Sequence, residues 1–186
     1  MAPAGPVDPV DGVEQLRAWC RYEGPGRAVV LALKNAGRRD LVRPLGIGLA
    51  GLAPGVDRVT WVPASVEGRR RRGYDQGALL ARAVGRRLDR PVGPLLRRPG
   101  GTASQRGRDR RQRLDGVAFT ARGPVAGRVL VVDDVVTTGA SLAAAARALR
   151  AAGAEAVDAL VVAVADRDRP DPRLLSPGGA RPTGER

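Results

Sequence analysis

The sequence predicts an α/β fold with a mainly parallel central sheet flanked by helices, and three observations carry that prediction. Segments of helical and strand periodicity alternate along the 186 residues, the pattern of strands joined by helical connections. Two runs, Arg128–Val132 (RVLVV) and Val157–Val164 (VDALVVAV), are almost continuously apolar, as strands buried on both faces are. Between them lies Ala140–Ala152, an alanine-rich segment with Gly153 at its end, which reads as a helix.

The remaining elements follow in order. Residues 1–12 are rich in Pro and Gly and read as a loose N-terminal segment. Val13–Trp19 suits a short helical turn. Val29, Val30, Leu31 and Leu33 predict a helix over Gly26–Ala36, ended by Gly37. Leu41, Leu45, Leu49 and Leu52 predict a second helix over 40–52, with Pro44 near enough to its start to be tolerated. Arg58–Pro63 (RVTWVP) reads as a short strand. Gly73–Leu88 carries Leu79, Leu80, Ala83, Val84 and Leu88 at helical spacing, and Pro91–Leu96 suits another short strand. Residues 97–116, rich in Arg and Gly, have no apolar period and read as a mobile loop or an irregular hairpin. From Asp166 the chain is polar and Pro-rich, which predicts a disordered tail over 166–186. The expected arrangement is one domain over 13–165, without internal repeats.

Composition removes several chemistries. With no histidine there is no Ser-His-Asp triad, Cys-His dyad or imidazole metal site. With Cys20 alone there is neither an intrachain disulfide nor a thiolate zinc site, and Cys20 itself reads as buried and inert. The first twenty residues hold two early aspartates and no apolar run, so neither a signal peptide nor a membrane anchor is expected. The expected location is the cytoplasm, with no membrane partner.

The formal charge is +13, from 32 Lys+Arg against 19 Asp+Glu, and Lys34 is the only lysine. Such a balance invites a polyanionic partner. The excess is local. Arg69–Arg72 gives +4 and the segment 97–113 gives +6, so two stretches read as loops hold ten of the thirteen charges.

The most informative segment is Val129–Leu142, VLVVDDVVTTGASL. A buried strand runs into two carboxylates, Asp133 and Asp134, followed by a Thr-Thr-Gly-Ala-Ser turn and a helix start. Gly139 lets the backbone approach an anion, and the N–H groups of 137–141 converge on it together with the positive end of the helix dipole. The hydroxyls of Thr137, Thr138 and Ser141 add donors. Two carboxylates beside a phosphate cradle would repel phosphate; they suit hydroxyls or a divalent cation. The implied ligand carries both a phosphate and a sugar diol.

These residues resemble the phosphoribosyl pyrophosphate (PRPP) motif of type I phosphoribosyltransferases. The resemblance implies that fold, with a flexible loop over the active site. It gives Asp133 and Asp134 to the ribose hydroxyls, and Thr137, Thr138, Gly139, Ala140 and Ser141 to the 5′-phosphate. It also implies Mg²⁺ with PRPP, reached by the two aspartates through ribose hydroxyls or water. Further segments are similar to the ComF family (competence protein F-like): YEGPGRAVVLALKNAG at Tyr22–Gly37, VPAS and RRRRGYDQGALLARAV within Val62–Val84, and SQRGRDRRQRLDGVAF at Ser104–Phe119. The likeness spans roughly residues 20–165. Many members begin with a four-cysteine zinc finger; this chain has only Cys20, so no zinc is expected.

By the same resemblance, Ala64 and Ser65 hold pyrophosphate through backbone N–H groups and Arg72 adds charge to it. The 97–113 stretch, with Arg108, Arg110 and Arg111, closes over PRPP. A solvated charge run for Arg69–Arg72 and a nucleic-acid contact for 97–113 remain the competing readings. Lys34 either touches a phosphate or flanks a helix end, Tyr74 and Gln76 stand within reach of the ligand, and Trp61 reads as core packing. The expected function is Mg-dependent phosphoribosyl transfer to an unknown acceptor. The alternative is a non-catalytic accessory protein of DNA uptake that binds single-stranded DNA. A homodimer stays open.

Overall fold

The computed structural model describes residues 4–5, 7–35, 37–98 and 117–165. Its centre is a four-stranded parallel sheet in the order β1-β6-β5-β2, made of β1 (Leu16–Arg21), β2 (Arg58–Trp61), β5 (Arg128–Val136) and β6 (Ala156–Val164). A two-stranded antiparallel ribbon, β3 (Leu96–Arg97) with β4 (Thr120–Ala121), stands apart from it. The helices are α1 (Gly24–Asn35), α2 (Val42–Ala50), α3 (Val66–Arg72), α4 (Gln76–Leu88) and α5 (Ala140–Ala151).

The sheet is buried on both faces, and strand alternation divides its side chains between them. From β5, Val129 and Val131 join a core with Leu142, Ala145 and Leu149 of α5. Leu130 and Val132 point the other way, into a core with Val30 and Leu33 of α1, Leu45 and Leu49 of α2, and Leu80 and Val84 of α4. α2 and α4 cross closely, and Gly46 makes this possible because a Cβ there would overlap the Ala83 Cβ.

At the amino ends of the strands, Arg128 grips the fully buried Asp158 with two hydrogen bonds, Nε to Oδ2 at 2.6 Å and a terminal nitrogen to Oδ1 at 3.1 Å. Cys20 is buried and its Sγ donates to the Val162 carbonyl at 3.2 Å. Before β1, Val10 is buried against the α5 side of the sheet.

Four expectations are corrected. Val13–Trp19 is not a helical turn: Leu16 onward is β1, an edge strand paired with β6, whose buried Ala18 and Cys20 follow a period of two. Arg69–Arg72 are not in a loop but form the last turn of α3, capped by Ser65 at one end and by left-handed Gly73 at the other. None of its residues is buried, so no apolar period announces it. The following helix therefore starts at Gln76, after Asp75, rather than at Gly73. The strand expected at Pro91–Leu96 reduces to a single bridge between Val92 and Val59, with β3 beginning at Leu96. The expected tail and most of the 97–116 stretch lie outside the described residues.

Candidate functional site

The site sits at the carboxyl ends of the parallel strands, where ligands bind in open α/β sheets. β5 extends to Val136, so Asp133 and Asp134 lie within the strand, not beyond it. Being adjacent, they point to opposite faces. Asp133 has the parity of Val129 and Val131 and opens on the α5 side. Asp134 has the parity of Leu130 and Val132 and points toward α1 and α4.

Asp134 is 4% exposed and doubly engaged. Lys34 Nζ of α1 stands 3.3 Å from its Oδ1, and Gln76 Nε2 of α4 donates to its Oδ2 at 2.9 Å. Lys34 is thus an ion-pair partner of the motif rather than a helix-end decoration. Gln76 is itself buried, and its Oε1 has no hydrogen-bond partner among the described residues. Asp133 accepts the N–H of Asp134 at 2.8 Å. Burial, and then the charge of Asp134, push the Asp133 carboxyl up to about 8. It is the carboxyl of the pair that a hydroxyl donor or a cation would most relieve.

Asp133 and residues Val135–Leu142 line a small cavity of about 50 Å³, which brings the expected Thr137, Thr138, Gly139, Ala140 and Ser141 to one place. Gly139 adopts φ +78°, and a Cβ there would come within 2.7 Å of Val10 Cγ2. Glycine is required on both counts. α3 and α4 are capped by the side chains of Ser65 and Asp75, which accept Gly68 N–H at 3.0 Å and Ala78 N–H at 3.3 Å. α5 begins at Ala140, and Gly139 before it offers no side-chain cap. The Ala140 N–H donates to Thr138 Oγ1 at 3.4 Å, and the remaining N–H groups of the first turn suit an anion.

The loop after β2 carries the expected Ala64 and Ser65. The Ala64 N–H donates to Asp75 Oδ2 at 3.1 Å, and the Ser65 hydroxyl serves α3. In this structure the Ala64 amide is committed to Asp75. Arg72 folds back along α3 and, with Lys34, Gly37, Arg71 and Tyr74, lines a pocket of about 310 Å³. The Tyr74 hydroxyl donates to the Leu33 carbonyl at 2.6 Å, tying α1 to the segment before α4. Trp61 is half-buried, with the Arg82 guanidinium 5.9 Å from its ring centroid. Arg108, Arg110 and Arg111 lie outside the described residues.

Two participants were not singled out from sequence. Asp75 joins the loop after β2 to the start of α4; an aspartate just before a helix is a legible cap signal. Arg98 donates from Nε to the Pro63 carbonyl at 2.9 Å and lies over the Phe119 ring at 4.9 Å. Its signal was lost among seven arginines in one stretch.

Mg²⁺ can be weighed against these groups. Among the described residues no cluster of three or more acidic, Cys or His side chains could hold a metal ion alone. Asp133 and Asp134 are hard oxygen donors, and Asp134 is already paired with Lys34. The donor set fits a cation carried in by substrate oxygens, the usual manner of Mg²⁺ at phosphate sites. No helix is long and apolar enough to cross a membrane among the described residues.

Residues 109–176 match the phosphoribosyl transferase domain family. Competence protein F of Haemophilus influenzae is 38% identical over 94 residues, a match covering 47% of this chain and 41% of that protein. The chain therefore spans less than half of that curated relative. Among solved structures, glutamine PRPP amidotransferase from B. subtilis, complexed with ADP and GMP, has 22% identity and a TM-score of 0.50. That match covers 66% of this chain and 26% of the other. An adenine phosphoribosyltransferase from Thermoanaerobacter pseudethanolicus has 16% identity and a TM-score of 0.42, covering 73% of this chain and 84% of the other. The chain is thus similar to competence protein F over part of its length, matches the phosphoribosyl transferase domain family over residues 109–176, and shares the α/β fold of phosphoribosyltransferases.

Proposed function

We propose that the chain binds PRPP at the carboxyl end of β5 and transfers its phosphoribosyl group, with release of pyrophosphate. One observation carries this reading: Asp133 and an uncapped helix start share a single cavity. A hydroxyl acceptor and an anion cradle stand side by side, as a ribose 5-phosphate end requires. Asp133 and Asp134 take the ribose hydroxyls, residues 137–141 the 5′-phosphate, and Ser65 and Arg72 the pyrophosphate side. Use of the Ala64 amide would require Asp75 to release it. Mg²⁺, when bound with PRPP, would neutralise diphosphate charge as it develops. Lys34 holds Asp134 in place, and Gln76 fixes that carboxylate from the opposite side.

The test is a turnover screen with PRPP and Mg²⁺ against nucleobases and ammonia, read as pyrophosphate release. Release dependent on one acceptor and abolished by Asp133→Asn supports transfer. Binding without release leaves a PRPP-binding protein that is not a transferase.

A second reading, single-stranded DNA binding, rests on a different surface. Exposed Arg39, Arg43, Arg82, Arg86 and Arg87 ring a groove of about 420 Å³ between α2 and α4, and no acidic side chain lines it. Binding there must weaken steeply with salt. A floor of Val42, Ile47, Leu79 and Ala83 offers bases nothing aromatic to stack on, so this reading ranks second.

A further inference from the structure

α2 and α4 cross closely, yet the groove between them is left uncovered. Val42, Ile47, Leu79 and Ala83 form its floor, and Arg39, Arg43, Arg82, Arg86 and Arg87 ring it, around a volume of about 420 Å³. Ile47 is 52% exposed, one of two large apolar side chains left in water among the described residues. An apolar floor inside a charged rim is the anatomy of an interaction surface. Part of the rim is held in place by rings: the Arg39 guanidinium stands 4.6 Å from the Tyr74 ring centre, and that of Arg82 stands 5.9 Å from Trp61. The ion pairs of the described residues involve none of the five arginines. Five uncompensated cations around one concavity attract an anionic partner, and the floor rewards one that also buries apolar surface.

We propose that this groove docks an acidic amphipathic helix of a partner protein, with the apolar stripe of that helix on Ile47, Leu79 and Ala83 and its Asp and Glu side chains against the arginine rim. Three observations choose this occupant. A second copy using the same groove would set five arginines against five. Residues 166–186 of this chain hold five arginines against three Asp and one Glu, and so bring no net negative charge. Single-stranded DNA would meet the cations but no aromatic floor, and it leaves Ile47 unused. The floor runs along α4, whose 13 residues span about 20 Å, enough for roughly three turns of a partner helix anchored at i, i+3, i+4 and i+7. The groove shares no residue with the cavity at the end of β5, so the inference stands apart from the PRPP reading.

The probe is a fluorescein-labelled synthetic helix of about 16 residues, with Leu at i, i+3, i+4 and i+7, Glu flanking them and Ala elsewhere. Its scrambled sequence, of equal charge, is the control. Fluorescence anisotropy with the full chain reads both affinities. The amphipathic peptide should bind at least about 10-fold more tightly than the scramble, the worth of one buried apolar anchor. Ile47→Ser should weaken it roughly 10-fold by lost burial. Arg43→Glu with Arg86→Glu should weaken it roughly 100-fold by like-charge repulsion. Both variants should keep the wild-type melting temperature, because these side chains are exposed. No binding of the amphipathic peptide, equal binding of the scramble, or no effect of Ile47→Ser would overturn the proposal. Tighter binding of a thymidine oligonucleotide, untouched by Ile47→Ser and lost in the charge-reversed variant, would assign the groove to nucleic acid instead. A wild-type dimer in sedimentation that Ile47→Ser dissociates would assign it to a second copy.

Discussion

Lys34, in the last turn of α1, and Asp134, in β5, are joined by a 3.3 Å ion pair in which the carboxylate is 5% and the ammonium 21% exposed. Two elements one hundred residues apart are thus fastened at the point where the proposed ligand would sit. A buried carboxylate keeps its charge only with such a partner. Lys34→Met should therefore destabilise the protein by about 1–3 kcal/mol. Lys34→Met with Asp134→Asn should recover most of that loss, since no unpaired charge remains. Urea unfolding of the single and double variants measures both.

The 137–141 turn depends on Gly139. With φ at +78° and Val10 pressed against it, Gly139→Ala should cost about 1–3 kcal/mol through backbone strain. It should also abolish ribose 5-phosphate binding. Val10→Ala with Gly139→Ala relieves the contact but not the φ, so only part of the stability should return. Thermal melts with and without ribose 5-phosphate separate the two effects.

Asp133 gives the ligand-free protein a pH dependence of definite sign. Burial and the neighbouring Asp134 push its carboxyl up to about 8, far above the usual carboxylate range. The folded state therefore keeps a proton that the unfolded chain has lost, and stability contributed by this group falls as pH rises from about 4 to about 8. Asp133→Asn removes the titration. The variant should be more stable than wild type above pH 8, with the gap closing toward pH 4. Melting curves across that range, without Mg²⁺ or phosphate, would show it; a constant gap would contradict the assignment.

At the opposite end of the sheet, Arg128 and Asp158 form a forked pair around a fully buried carboxylate. Arg128→Met leaves that carboxylate unpaired and should cost about 2–4 kcal/mol. Arg128→Met with Asp158→Leu should cost much less, and neither variant should alter ligand affinity, because the pair lies at the amino ends of the strands. Denaturation midpoints and a PRPP titration test the two halves.

The legible parts of the fold were those whose periodicity reflects burial. β5, β6, α4 and α5 are framed by cores on both sides of the sheet, so Val, Leu and Ala mark them. β1 and α3 were misread for the opposite reason. β1 is a six-residue edge strand that shares its segment with Trp19 and two arginines. α3 buries nothing and is held by its caps. In the site, the 133–141 motif was legible because one contiguous segment supplies both acids and the turn. What sequence order hid was the divergence of Asp133 and Asp134 to opposite faces. Also hidden were the contacts of Lys34 and Gln76 with Asp134, and the reach of Asp75 and Arg98 to the loop after β2. These join residues from about ten to one hundred positions apart, and only the strand order brings them together.

The proposed PRPP site lies where β5 meets α5, with the ribose held by the two aspartates. Calorimetric titration of PRPP with Mg²⁺ into wild type and the Asp133→Asn, Asp134→Asn double variant tests it most directly, with circular dichroism confirming that both are folded. The expected result is a one-to-one isotherm for wild type and none for the variant. Absence of binding by wild type at millimolar PRPP, or equal binding by the folded variant, would contradict it.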